Sequence, residues 1–292
     1  MTWEETIISI RKLPEYAELV EKAYFDENLE LNVERFRSSL EYAETKKIIH
    51  EFFSASKGVK LLDIGSGNGI SVISFALDGY EVSSVEPDTS DTVGSGAIRK
   101  LVDQYHLSNV LVVDTVGEEL PFESGKFDIV YIRQAMHHAN DINKFVSEAA
   151  RVLRKGGLFL TIRDHVIFDS NDKKEFLNNH PLHRFYGGEN AFTFEEYKNA
   201  MKLAGLNIKK VLKYFDSVIN YFPMIEEDIN LLKEKRKKME KQSLEKRLPS
   251  FLSENSLVKK IYSRYLTAKL GQALNEAATH GRMYSFISVK AL

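Results

Sequence analysis

The segment Leu61-Leu62-Asp63-Ile64-Gly65-Ser66-Gly67-Asn68-Gly69 constrains this chain more than any other. A short apolar run that ends in alternating glycines reads as a buried strand turning sharply into a helix, whose face Val72, Ile73, Ala76 and Leu77 continue. Glycine tolerates the left-handed backbone of such a turn and lets the main chain approach a ligand with no Cβ between them. The pattern predicts a cofactor cradle at the carboxyl end of a first strand. Its G-x-G-x-G spacing differs from the G-x-G-x-x-G of dinucleotide oxidoreductases, which leaves an NAD-dependent oxidoreductase as the rival reading.

The rest of the chain supplies what such a strand needs. Helical periodicity runs from Thr2 to about Ser56 through Leu13, Tyr16, Ala17, Val20 and Ala23, predicting two or three helices before the core. Further strands are expected over Tyr80–Glu86, Asn109–Val113, Phe127–Ile132 and Leu158–Ile162, with helical stretches such as Asp141–Leu153 between them. Strands alternating with helices predict a parallel sheet with right-handed crossovers. Thr193-Phe194-Glu195-Glu196 is a capping box opening a helix that stops at Gly205, and Asn207–Phe215 and Arg282–Val289 read as the last strands. Between these two lies a helical stretch whose run Lys233, Lys235, Arg236, Lys237, Lys238 and Lys241 reads as a solvated face.

Three further elements follow the glycine turn in order. Glu86, in Val85-Glu86-Pro87-Asp88, ends the second strand where a doubly wound fold places a carboxylate to accept from both ribose hydroxyls. Val113-Asp114-Thr115-Val116-Gly117-Glu118-Glu119-Leu120-Pro121-Phe122 leads into the fourth strand. Arg133-Gln134-Ala135-Met136-His137-His138 leaves that strand, and Arg151-Val152-Leu153-Arg154-Lys155-Gly156-Gly157 closes the next helix. Over about Lys60 to Ile162 the set resembles the class I S-adenosylmethionine (SAM)-dependent methyltransferases, in particular those similar to the ubiquinone/menaquinone-biosynthesis enzymes. The resemblance implies a Rossmann-like α/β fold, a doubly wound, seven-stranded, mostly parallel sheet with N-terminal helices and a helical insertion before the last strand. The implied divisions are an N-terminal helical cap (1–57), a SAM-binding core (58–215), an insertion or lid (216–280) and a closing strand (281–292).

The same resemblance assigns SAM as cofactor. Asp63 would steady the loop and the cationic amino end of the methionine moiety, with Gly65, Ser66, Gly67, Asn68 and Gly69 passing along the cofactor. Glu86 and Pro87 would meet the ribose, Val116, Gly117 and Glu118 the adenine, and Arg133 and Gln134 the cofactor from the fourth strand. Val116 stands where the family's commonest form has an aspartate, so backbone groups are expected to serve the adenine there.

A methyl on a sulfonium is already activated, so alignment and exclusion of water come first and a base is optional. His165, at the end of the fifth strand, and His183 and Tyr186 in the following loop are the candidate catalytic residues. His137 and His138 read first as packed or capping residues. His180 and His183 have helix-face spacing, but Pro181 works against a helix, so no metal is expected. Zero cysteines exclude cysteine-ligated zinc, iron–sulfur clusters and thiolate nucleophiles. The formal charge of −2 gives no reason to expect nucleic acid, and oligomeric state is left open. No apolar run approaches the roughly 20 residues that span a bilayer, so a cytoplasmic protein is expected. The expected partner is a small organic or lipid- or sugar-linked methyl acceptor; a catalytically silent partner subunit is the other alternative.

Overall fold

A computed structural model describes residues 1–54, 56–245, 265 and 282–292. Helices α1 (Trp3–Ile10), α2 (Ala17–Lys22), α3 (Leu29–Arg37) and α4 (Leu40–His50) come first. The side chains of Thr2, Asn28 and Ser39 cap α1, α3 and α4, each accepting from a backbone N–H that the first turn leaves unpaired. The chain then alternates through β1 (Lys60–Ile64), α5 (Ile70–Leu77), β2 (Glu81–Val85), α6 (Ser95–Gln104), β3 (Val110–Val113), β4 (Phe127–Arg133), α7 (Ile142–Val152) and β5 (Leu153–Ile167). After β5 come α8 (Ser170–Asn179), α9 (His183–Tyr186), β6 (Phe192–Thr193), α10 (Phe194–Leu203), β7 (Leu206–Leu212), α11 (Val218–Tyr221), α12 (Glu226–Glu245) and β8 (Arg282–Lys290).

The sheet order is β3-β2-β1-β4-β5-β8-β7, with β6 beside β5, and only β8 runs antiparallel to its neighbours. Eight strands stand where seven are expected, because β5 continues five residues past Ile162 and its end pairs Val166 with Phe192 and Ile167 with Thr193. That extension exists because Asp164, His165 and Val166 find partners in Tyr284, Met283 and Arg282 of β8, beyond a register shift after Thr161. The capping box opens α10 as expected: Thr193 accepts from the Glu196 backbone and the Glu196 carboxylate accepts from Thr193 in return. Of the expected insertion, α11 and α12 are helical, and α12 carries the lysine run; most of 246–280 lies outside the described residues.

Alternation along the strands divides the core between the two faces of the sheet. Leu62, Ile64, Val130 and Ile132 pack with Phe145, Val146 and Ala149 of α7 and with Tyr197 and Met201 of α10. Leu61, Ile129, Tyr131 and Leu160 pack with Phe36, Tyr42, Ile73 and Phe75 of α3, α4 and α5. Each fully buried large apolar side chain contributes on the order of 1.5–3 kcal/mol, so both layers hold the strand ends firmly. The chain winds outward from β1 to β3 and then returns to β4 on the other side of β1, so the winding direction across the sheet reverses between the parallel strands β1 and β4. A crevice opens at the carboxyl ends there.

Candidate active site

A cavity of about 770 Å³ fills this crevice, within the range of roughly 300–1,000 Å³ usual for small-molecule sites. One end is built by the turn after β1. Gly65 (φ +73°) sits where a Cβ would stand 2.3 Å from the Ala135 Cβ, so only glycine lets the β1 and β4 exits cross. At Gly67 (φ +55°) a Cβ would meet nothing closer than the Val93 carbonyl at 3.9 Å; its backbone is open to the cavity, and its N–H donates to Glu86 Oε2 at 2.7 Å. The Asp88 N–H donates to Glu86 Oε1, so the Glu86 carboxylate is held at the cavity wall from both sides. Burial pushes Glu86 up to about 7 despite these two bonds.

Asp63 lies beneath the turn, fully buried. Its Oδ2 accepts from Ser71 in the first turn of α5, and its Oδ1 has no partner. Burial lifts it to about 7 against the pull of Ser71 and Arg133. The structure brings Gly65, Ser66, Gly67, Asn68, Glu86, Pro87, Val116, Gly117, Glu118, Arg133 and Gln134 to one wall, whereas Asp63 and Gly69 stand behind it. Asn68 has a second task, donating to the Tyr24 carbonyl and tying the N-terminal helices to the turn. Glu118 accepts from the Asn140 and Asp141 backbones, which fixes the loop before β4 against the start of α7.

Glu41 is a site residue the sequence reading did not find. It is fully buried on α4, where it accepts from Arg133 (2.6 and 3.1 Å) and Arg163 (3.2 Å). One carboxylate between two guanidiniums leaves a net positive charge at the cavity wall. Gln134 (φ +51°), just past β4, and Arg163 (φ +61°), at the register shift within β5, are left-handed non-glycine residues, strain of a kind that clusters where a site dictates backbone direction.

The opposite end is a cluster of imidazoles around one carboxylate. Glu189, after the Gly187-Gly188 turn that follows α9, lies 3.7 Å from His137 Nε2, 3.9 Å from His138 Nε2 and 3.8 Å from His180 Nδ1, and accepts from the Tyr186 hydroxyl at 2.6 Å. Buried Asp164 stands behind His137, 3.1 Å from its Nδ1 and from its backbone N–H. Burial opposes charge on His137, but Asp164 and Glu189 outweigh it and lift the imidazole to about 9. The surrounding imidazoles hold Glu189 below the usual carboxylate range despite its burial. Of the three residues expected to be catalytic, His165 and Tyr186 line the cavity, with the His165 ring 4.7 Å from that of His137. Tyr186 is pushed up by burial and by Glu189, a poor setting for a phenolate base. His183 is not part of the cavity wall.

Residues 62–161 match the family of the methyltransferase domain. Over these residues the chain is similar to the class I SAM-dependent methyltransferases. An uncharacterised methyltransferase of Bacillus subtilis, YcgJ, is 32% identical over 126 residues, 41% of this chain and 46% of that protein. The ubiquinone/menaquinone biosynthesis C-methyltransferase UbiE of Idiomarina loihiensis is 33% identical over 107 residues, 36% of this chain and 43% of that protein. The chain thus spans less than half the length of these curated relatives. In fold, the methyltransferase core resembles geranyl diphosphate C-methyltransferase from Streptomyces coelicolor, with a TM-score of 0.57 at 15% identity over 94% of this chain and 88% of that one. Among the described residues no helix is long and apolar enough to cross a membrane.

Proposed function

We propose that this chain transfers a methyl group from SAM to a small organic or lipid- or sugar-linked acceptor. The observation that carries the reading is the glycine turn and Glu86 sharing one cavity wall, hydrogen-bonded to each other through Gly67. The residues present suit SAM. Glu86 offers an acceptor carboxylate for the ribose, the Glu41–Arg133–Arg163 group a positive wall for a carboxylate, and Asp63 a buried carboxyl group near the loop that a bound cation would favour in its ionised form. When bound, the cofactor supplies a methyl already activated by its sulfonium. The chain supplies alignment and a water-poor pocket. Trp3, Leu19 and Phe25 of the N-terminal segment join the wall, which supports residues 1–57 as a cap; of the segment expected to be a lid (216–280), Pro223 reaches the wall, and the part after 245 lies, apart from Tyr265, outside the described residues. His165 is the proposed proton acceptor where the nucleophile is a hydroxyl or amine, and a small-molecule acceptor in the cytoplasm completes the reading.

Calorimetric titration with SAM and S-adenosylhomocysteine, with NAD(H) as competitor, tests it. Micromolar binding of the SAM pair that NAD(H) does not displace is expected; a folded protein that prefers NAD(H), or binds neither SAM nor S-adenosylhomocysteine, contradicts it.

A further inference from the structure

His137, His138 and Glu189 place three donor atoms from separate parts of the fold within 4.8 Å of one another, on the wall of the same cavity as the glycine turn. The two histidines leave β4; Glu189 arrives from the turn after α9, about fifty residues on. The facing distances from Glu189, 3.7 and 3.9 Å, are too long for hydrogen bonds. Donors about 2.0–2.2 Å from a shared ion at tetrahedral angles stand about 3.4 Å apart, so each pair with Glu189 needs a contraction of a few tenths of an ångström and the two imidazoles, in a set spanning up to 4.8 Å, must swing together by up to roughly 1.4 Å.

The surroundings of the two imidazoles also favour a metal. In each, Nδ1 faces an oxygen acceptor: Asp164 Oδ1 at 3.1 Å for His137 and the Gly188 carbonyl at 3.2 Å for His138. An Nδ1–H donated to such an acceptor directs the Nε2 atom toward Glu189 in both rings, and a metal binding there displaces the proton that the free His137 carries on Nε2. The carboxylate–histidine pair of Asp164 and His137 is the arrangement that commonly supports a metal ligand from behind.

We propose that His137, His138 and Glu189 bind one divalent transition ion, such as Zn²⁺ or Fe²⁺, in the acceptor half of the cavity. Two imidazoles and one carboxylate suit such ions better than Mg²⁺, which prefers an all-oxygen shell. Three protein ligands leave coordination positions toward the cavity, where a hydroxyl or carboxylate of an acceptor binds. The acceptor class rests on the methyltransferase reading; the metal site does not.

The test is titration of the chelator-stripped full chain with Co²⁺, read by its visible absorption and by calorimetry, with Zn²⁺ as competitor and Mg²⁺ as control. One equivalent of Co²⁺, displaced by Zn²⁺ and not by Mg²⁺, is expected. Asp164→Asn should weaken uptake by roughly 10–100-fold, and His138→Ala and Glu189→Gln by more. SAM binding, measured on the same samples, should stay within about threefold. His138 is partly exposed, so His138→Ala remains informative if the buried variants fail to fold. A wild type that takes up no stoichiometric Co²⁺, or uptake that neither ligand variant changes, overturns the proposal. Metal uptake without SAM binding leaves the metal site standing and removes the methyltransferase reading instead.

Discussion

The two ends of the cavity are built by different means. The end around Gly65, Gly67 and Glu86 is a main-chain structure, with one short loop, glycines that let strand exits cross, and a carboxylate held by two backbone N–H groups. The end around Glu189 is a side-chain structure assembled from the β4 exit, the β5 end and the segment from 180 to 189. The difference teaches where this fold keeps its common chemistry and where it varies. A cradle made of backbone holds one cofactor, while a pocket made of side chains on separate segments can be rewritten for different acceptors.

The largest expected effect tests what the two ends share. Glu41→Ala leaves two buried guanidiniums facing each other without their carboxylate, and breaking such a group costs about 3–5 kcal/mol. Urea unfolding should show that loss; a change under about 1 kcal/mol would mean that solvent or another acid screens the arginines.

Next in size is the separation of the two ends. Hydrogen bonds to a charged group contribute about 1.5–3 kcal/mol each, so Glu86→Ala should weaken SAM binding by about 100-fold or more. Glu189→Ala should leave it within about threefold. Equal losses in a calorimetric comparison would show the ends to be one coupled site.

A smaller effect depends on pH. Asp63 and Glu86 are both lifted from the ordinary carboxylate range to about 7 by burial. The folded chain therefore holds protons that the unfolded chain has already released, and these two groups make the ligand-free protein lose stability as pH rises from about 5 to 7. His137 acts in the same direction at higher pH, because its raised pKa of about 9 contributes stability that is present below about 6.5 and lost as pH rises through 9. SAM needs the ionised acid at the ribose, so its affinity should climb by up to about tenfold per pH unit below 7 and level off above it. Calorimetry in buffers of different ionisation enthalpy would read the proton released. A flat affinity between about pH 6 and 8 would mean that Glu86 is already ionised in the free protein.

The same contrast explains what the sequence disclosed. The strand-turn-helix after Lys60, the carboxylate at Glu86 and the capping box at Thr193 are local, so spacing alone exposes them. Glu41 also left a trace, since Glu41, Thr45, Ile48 and Ile49 share the buried face of α4, and an acid on that face needs a cationic partner. Which arginines serve it depends on tertiary packing. His137 and His138 read as packing residues because their partners, Asp164 and Glu189, stand 27 and about fifty positions away. His180 and His183 suggested a pair by spacing, yet the chain turns at Pro181, and His180 ends α8 while His183 begins α9. The extension of β5 and the short β6 were hidden too, because each exists only through its partner strand.

The central claim, that SAM lies along the glycine turn with its ribose at Glu86, is tested most directly by a crystal structure of the chain with S-adenosylhomocysteine. The account predicts the ribose hydroxyls within hydrogen-bond distance of the Glu86 carboxylate and the homocysteine sulfur facing the His137–Glu189 end. The ligand bound elsewhere, or its ribose away from Glu86, would contradict it.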